Sequence, residues 1–144
     1  MKVKAEITVI PERQDIKVKG LLLTLPRSDF YDPENPAAAF ARLLRYHMSV
    51  CEAIKDPTEF NSDFPKTVRI EFSGGHLTDI MVTADDNNVE VYGEFCPGGV
   101  YGDDVRNFII EHGYVDLKPR IVYRNDKILE IRFFDINLAK SVKV

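Results

Sequence analysis

Three histidines, two cysteines and several clustered carboxylates carry most of the reactive chemistry in this 144-residue chain. His47-Met48-Ser49 and His76-Leu77-Thr78 each place a hydroxyl two residues from an imidazole. An imidazole can act as a general acid or base near neutral pH. Cys96 opens the stretch CPGGVYGDD, and a thiol beside a histidine base is a nucleophile. Only His47, His76 and His112 exist for that role, and nothing in the sequence sets one of them beside Cys96. The glycines of the same stretch expose amides ahead of a short helix, which suits phosphate. Asp103 and Asp104 occupy that terminus, however, and they repel an anion while capping the helix. The spacing also matches neither dinucleotide nor P-loop patterns.

The two His-x-Ser/Thr tripeptides resemble the paired motifs of the two-histidine phosphoesterases. That resemblance implies two strand-borne motifs at one phosphodiester, with His47 and His76 as acid and base and the hydroxyls of Ser49 and Thr78 on phosphate oxygens. Here the motifs lie closer together than in that family, and His47 falls on an expected helix, where it reads as a packed core histidine. Asp79, Glu90 and Glu94, with Asp85-Asp86 at a turn, are the ligand types of hard cations. They fit no calcium-loop spacing, so a solvated acidic hairpin is expected. Asp116-Leu117-Lys118 offers the Asp-x-Lys end of a nuclease-like pattern, but its upstream carboxylate, Asp104, begins a helix. No catalytic residue, metal or cofactor is assigned.

Charge is the more physical signal. The net charge is −4, which argues mildly against a nucleic-acid protein. Residues 61–116 hold 3 basic and 11 acidic side chains, whereas residues 117–144 hold 7 basic and 3 acidic. Such a dipolar chain either neutralises itself on folding or shows faces of opposite sign to partners.

The elements that must position these groups follow from hydrophobic period. Asn35–Asp56 carries Phe40, Leu43, Leu44, His47, Cys51 and Ile54 at helical spacing, with Pro36 at its start and Asp56-Pro57 at its end. It reads as one long helix laid across a sheet. Residues 2–10 and 15–25 read as a hairpin with Val9 opposite Ile16 and Glu6 opposite Lys19. Lys66–Phe72 reads as a strand, and Ser73–His76 as a turn. Leu77–Ala84 and Val89–Phe95 form a hairpin with Val82 opposite Val91. That register leaves Asp79, Met81, Thr83, Glu90, Tyr92 and Glu94 on an acidic outer face. Val105, Phe108, Ile109 and His112 mark the inner stripe of a short helix that Asp103 caps and Gly113 ends. Residues 114–136 read as a hairpin with an odd-numbered loop and Tyr123 opposite Leu129. Ile121, Tyr123, Leu129, Ile131 and Phe133 then face inward, and Lys118, Arg120, Arg124 and Arg132 form a basic face. Loops are expected at 26–35 and 57–65, the latter with Phe60 and Phe64 against the core.

The expected architecture is a single α+β domain over residues 1–144. About seven mostly antiparallel strands, three hairpins plus one strand, lie on one long and one short helix. No segment suits a membrane span. Two cysteines are too few for a disulfide scaffold and suit a reducing, cytoplasmic setting. The expected function is a non-enzymatic binding protein of inhibitor, adaptor or accessory type. Lys118, Arg120, Arg124, Arg132, Asp79, Glu90, Glu94, Tyr92 and His76 are its candidate contacts. The expected partner is a protein; nucleic acid or a nucleotide stays open, as does the oligomeric state. One alternative is a small phosphoesterase or nucleotide-binding protein using His76, Thr78 and the 96–102 loop. A second is a structural assembly protein of viral type.

Overall fold

Three hairpins account for most of the chain in the computed structural model, which describes residues 2–3, 6–10, 15–46, 48–54 and 70–138. Strand β1 (Lys2–Val3) precedes β2 (Glu6–Ile10), which turns back into β3 (Asp15–Pro26). Val9 stands opposite Ile16 and Glu6 opposite Lys19, the register that the apolar alternation demands. A bulge between Leu21 and Leu23 re-phases β3, so Leu22 and Leu23 are both buried.

The second hairpin, β5 (Ser73–Ala84) with β6 (Asn88–Pro97), sets Val82 opposite Val91 as expected. Its strand β5 starts where a turn was expected. Residues 66–69 lie outside the described residues, Ile70–Phe72 is a 3₁₀ turn, and Ser73–His76 is strand. Glycine serves close packing here. A Cβ on Gly74 would lie within 2.9–3.0 Å of Ala53, Ile136 and Val105. This is where helix α2 (Gly102–His112) closes on the sheet.

The third hairpin, β7 (Val115–Arg124) with β8 (Lys127–Asn137), corrects the expected register. Its turn has two residues, Asn125 and Asp126, with φ of 50° and 63°. Such a turn matches the twist of the flanking strands. Bulges, not an odd loop, restore the phase: Tyr123 faces Ile128 and Val122 faces Glu130, leaving Leu129 as the extra residue. Ile131 and Phe133 are buried as expected, whereas Tyr123 and Leu129 are 59% and 40% exposed.

The long helix is the main correction. Pro36–Phe40 is a 3₁₀ turn, helix α1 covers only Ala41–Tyr46, and Met48–Ile54 is strand β4. β4 is antiparallel to β5 and parallel to β8. The run from Met48 onward satisfies a helical period and a strand period alike, and pairing on both sides decides for strand. Phe40 and Leu43 keep their inward role, and Phe40 meets the Phe30 ring at 6.0 Å. The expected 57–65 loop, with Phe60 and Phe64, lies outside the described residues.

The described strands number eight, in the order β1-β7-β8-β4-β5-β6-β3-β2. The class is α+β and the sheet mostly antiparallel, but both helices are short. β1 and β2 stand at opposite ends of this order although Val3 and Glu6 are three steps apart in the chain. Three steps span at most about 11 Å, so the sheet curls until its edges nearly meet. Ile16, Val18, Leu77, Val91, Phe95, Leu117, Ile131 and Ile136 fill the core. No helix among the described residues is long and apolar enough to cross a membrane.

Gly74→Ala should cost about 1–3 kcal/mol by overpacking. Gly98→Ala, whose Cβ would meet nothing within 4 Å, should change the urea midpoint by little; equal midpoint losses would refute this account of α2 docking.

Candidate functional site at the hairpin tips and outer sheet face

Apolar side chains fill the inner face, so polar chemistry is confined to the outer face and the strand ends. Leu77 and Phe95 stand opposite each other and are fully buried. The flanking pairs, His76 with Cys96 and Thr78 with Glu94, therefore share the outer face, all half-buried. Glu94 holds Lys17 of β3 at 3.4 Å. Tyr92 donates a hydrogen bond to Glu90 at 2.6 Å. That bond, with some burial and the carboxylate charge, pushes the phenol above its ordinary pKa. Asp79 stands exposed in the bulge between Thr78 and Met81, with φ of 54°. Among the described residues no three His, Cys, Asp or Glu side chains are grouped to hold a metal ion.

The tripeptide candidates separate differently from expectation. Met48 and Ser49 lie on β4 beside β5, with Met48 opposite Thr78 and Ser49 opposite Leu77. Ser49 is thus out of step with His76 and Thr78. His47 lies outside the described residues.

The glycine-rich loop is a clamp. Gly98 donates to the Gly74 carbonyl at 3.1 Å, and Val100 and Tyr101 donate to the Ser73 hydroxyl and carbonyl at 3.3 and 2.8 Å. Gly99 has φ of 75°, and a Cβ there would collide with the Ser73 side chain. Phe72 stacks on Tyr101 at 6.1 Å. Tyr101, not Asp103, stands at the helix N-cap, and Asp103 pairs with Arg106. His112 is exposed against Phe108 and Tyr114, not inward.

Of the four basic candidates, Arg120 and Arg132 form ion pairs with carboxylates of β8. Arg120 Nε meets Asp135 Oδ2 at 2.5 Å, with side chains 15% and 1% exposed. Arg132 meets Glu130 at 3.3 Å. Lys118 is exposed in register with Asp135, so that carboxylate, not Asp104, faces the Asp-x-Lys segment. Arg124 is exposed, its guanidinium 5.2 Å above the Tyr31 ring. Strand β4 stands between the acidic and basic hairpins.

Tyr31 belongs to a strap that sequence reasoning treated only as a loop. Arg27 reaches the Pro33 carbonyl at 2.7 Å and the Asp85 carbonyl at 2.9 Å. Phe30 bridges to Ile128, Tyr31 N–H donates to the Ile128 carbonyl at 2.9 Å, and Lys127 donates to Ser28 at 2.9 Å. Residues 27–31 therefore tie the β5–β6 tip to the β7–β8 tip. A cleft of about 670 Å³ opens there, lined by Arg27, Phe30, Tyr31, Glu34, Asp86 and Lys127 among others. The turn residues of 26–35 signalled a loop, but its two anchors lie some 60 and 100 residues away in sequence, as the Arg27–Asp85 and Ser28–Lys127 bonds show (|i−j| of 58 and 99).

No protein-family model, curated protein or solved structure matches the chain.

Removing one partner of a buried ion pair strands the other charge, so Asp135→Ala should cost about 3–5 kcal/mol. Retention of the wild-type denaturation midpoint would refute that role. Asp85 is held below its usual carboxylate range by amide donors from Asn88, then Asn87, with Arg27 adding charge. A depressed folded-state pKa contributes stability above the unfolded value and loses it as pH falls through the folded one. Asp85→Ala should therefore flatten the acid limb of a melting-temperature profile; an unchanged limb would count against the turn.

Proposed function

We propose that this is a non-enzymatic binding protein, of inhibitor, adaptor or accessory type, that engages an acidic protein partner at the β7–β8 tip and its strap. The observation that carries this reading is the exposed cluster of Tyr31, Tyr123, Arg124, Lys127 and Leu129 around a two-residue turn. Tyrosine and arginine dominate the energetic centres of protein interfaces, where large rings dock and planar cations pair with carboxylates. The strap fixes this cluster before any partner arrives, so less ordering entropy opposes association. Lys118 extends the basic surface along β7. The candidates Arg120, Arg132, Glu90 and Glu94 act mainly within the fold on this reading, because each has a partner in its own sheet. Neither cysteine is in a disulfide, which suits a reducing, cytoplasmic setting.

A phosphoester- or nucleotide-directed role keeps one supporting observation: His76 and Thr78 share a half-buried face with Cys96. The amides of Gly98, Val100 and Tyr101 are turned onto Gly74 and Ser73, which takes three donors of that loop away from an anion.

The deciding experiment captures partners on immobilised protein at low salt and repeats the capture with Tyr123→Ala, Arg124→Glu and Lys127→Glu combined. Loss of an acidic protein by at least about tenfold is expected for a hot-spot cluster. Undiminished capture by the triple variant, or recovery of nucleotide alone, would overturn the proposal.

A further inference from the structure

Strand β7 has one side only partly covered. Strand β8 pairs with it from Leu117 to Arg124. On the other side, among the described residues, β1 pairs with Val115 and Asp116 alone and runs away from the hairpin tip. Lys118 and Pro119 blunt the middle of this edge, since lysine resists a neighbouring strand and proline lacks a donor. Ile121–Tyr123 carries neither guard. Arg124 and Lys127 flank the two-residue turn and form its closing hydrogen-bonded pair. Successive residues of a strand turn their N–H and C=O to alternate sides, so Ile121 and Tyr123 direct both groups to the open edge. The two bulges place their extra residues, Leu129 and Arg132, on β8, and β7 keeps its alternation. Its side chains alternate as well. Ile121 packs against the core with Tyr123 two residues along the same face, whereas Lys118, Arg120, Val122 and Arg124 share the other.

We propose that an extended acidic segment of the partner adds to this edge as an antiparallel strand, its apolar residues opposite Ile121 and Tyr123 and its carboxylates opposite Val122 and Arg124. The inference rests on the acidic-partner reading above and gives that partner's backbone a place to pair. In strand addition the backbone bonds supply affinity and alternate side chains supply selectivity. Opposite charges across a ladder stabilise it and like charges destabilise it. The exposed cations Lys118 and Arg124 share one face of this edge, which favours carboxylates on the incoming strand. The same rule disfavours a second copy of this chain. Two-fold pairings of β7 centred on Arg120, Ile121 or Val122 set Arg120 against itself, Lys118 against Arg124, or Arg120 against Arg124.

The test uses the full chain at low salt and a blocked peptide of alternating Glu and Val about seven residues long, an ordinary strand length. Binding is followed by calorimetry and by amide hydrogen exchange. Saturating peptide should slow exchange at Ile121 and Tyr123 by about tenfold or more, and change the Val122 amide, which faces β8, far less. Directly opposed residues of an antiparallel pair share a face, so the valine amides are the ones that bond to Ile121 and Tyr123. Methylating the valine nitrogens should weaken binding by at least about tenfold, because those backbone bonds are lost. Methylating the glutamate nitrogens should leave binding unchanged, and replacing Glu by Lys should abolish it. No binding by the parent peptide, equal losses from the two methylations, or unchanged exchange at both amides would overturn the added strand. If binding survives valine methylation but is lost with Tyr123→Ala, Arg124→Glu and Lys127→Glu combined, the acidic-partner reading stands and the added strand fails. Slow exchange at both amides without peptide, in a protein that light scattering shows to be a dimer, would overturn it in favour of a second copy.

Discussion

The first ten residues serve both edges of one sheet, and most of the architecture follows from that constraint. β1 pairs with β7 and β2 with β3, yet only two residues separate β1 from β2. The sheet has to curl until its ends flank the same short piece of chain. Curling gives every strand a shared inner face, which explains why Leu77, Phe95, Leu117, Ile131 and Ile136 from four different strands merge into one cluster. It also leaves an interval between β8 and β4, which pair only over Glu52–Ile54 and Asp135–Asn137. The segment from Pro36 to Tyr46 lies against both strands, with Phe40 and Leu43 buried. Its helix ends where the chain must become strand β4. The length of α1 is thus set by the interval and not by helical propensity.

This constraint separates what the sequence makes legible from what it hides. Hairpin registers are local, so alternation and turn residues suffice: Val9 with Ile16 and Val82 with Val91 are both readable and both observed. The 35–56 segment fails because Cys51 and Ala53 bury equally well in a strand, and the partners that select strand lie in β5 and β8. The β7–β8 turn fails for a different reason. Bulges shift the phase of a strand without any mark in composition, so Tyr123 and Leu129 moved from the expected core to the surface. The candidate sites were hidden by distance along the chain. His76 and Cys96 are both conspicuous residues, but only the tertiary register sets them opposite each other. Arg27 reaches Asp85 and Lys127 reaches Ser28 across the strap for the same reason.

Charge segregation along the chain is offset in part by ion pairs within each neighbourhood. Lys17 meets Glu94, Arg132 meets Glu130, and Arg120 meets Asp135, although β4 keeps the acidic and basic hairpins apart. The first two pairs are partly solvated and contribute little to stability. The third is buried and more consequential for specificity, since either charge alone would be costly there. Among the described residues, exposed cations include Lys118, Arg124 and Lys127, and exposed carboxylates include Asp79, Asp85, Asp86, Asp103 and Asp104.

The two chemically distinct regions are also mechanically distinct. β6 runs from Asn88, beside the strap, to Cys96 near its far end, and eight strand residues span about 27 Å. The side chain of Cys96 is therefore too far from Arg27 and Tyr31 to touch either. Any influence would have to pass along β5 or β6. Between His76 and the tip, β5 carries the bulge at Asp79, where the ladder to β6 breaks register. A bulge disrupts the ladder locally and bends its strand. The His76–Cys96 end of the β5–β6 ladder and the hairpin-tip surface are thus separate regions, and coupling between them would require a change in the β5–β6 register itself.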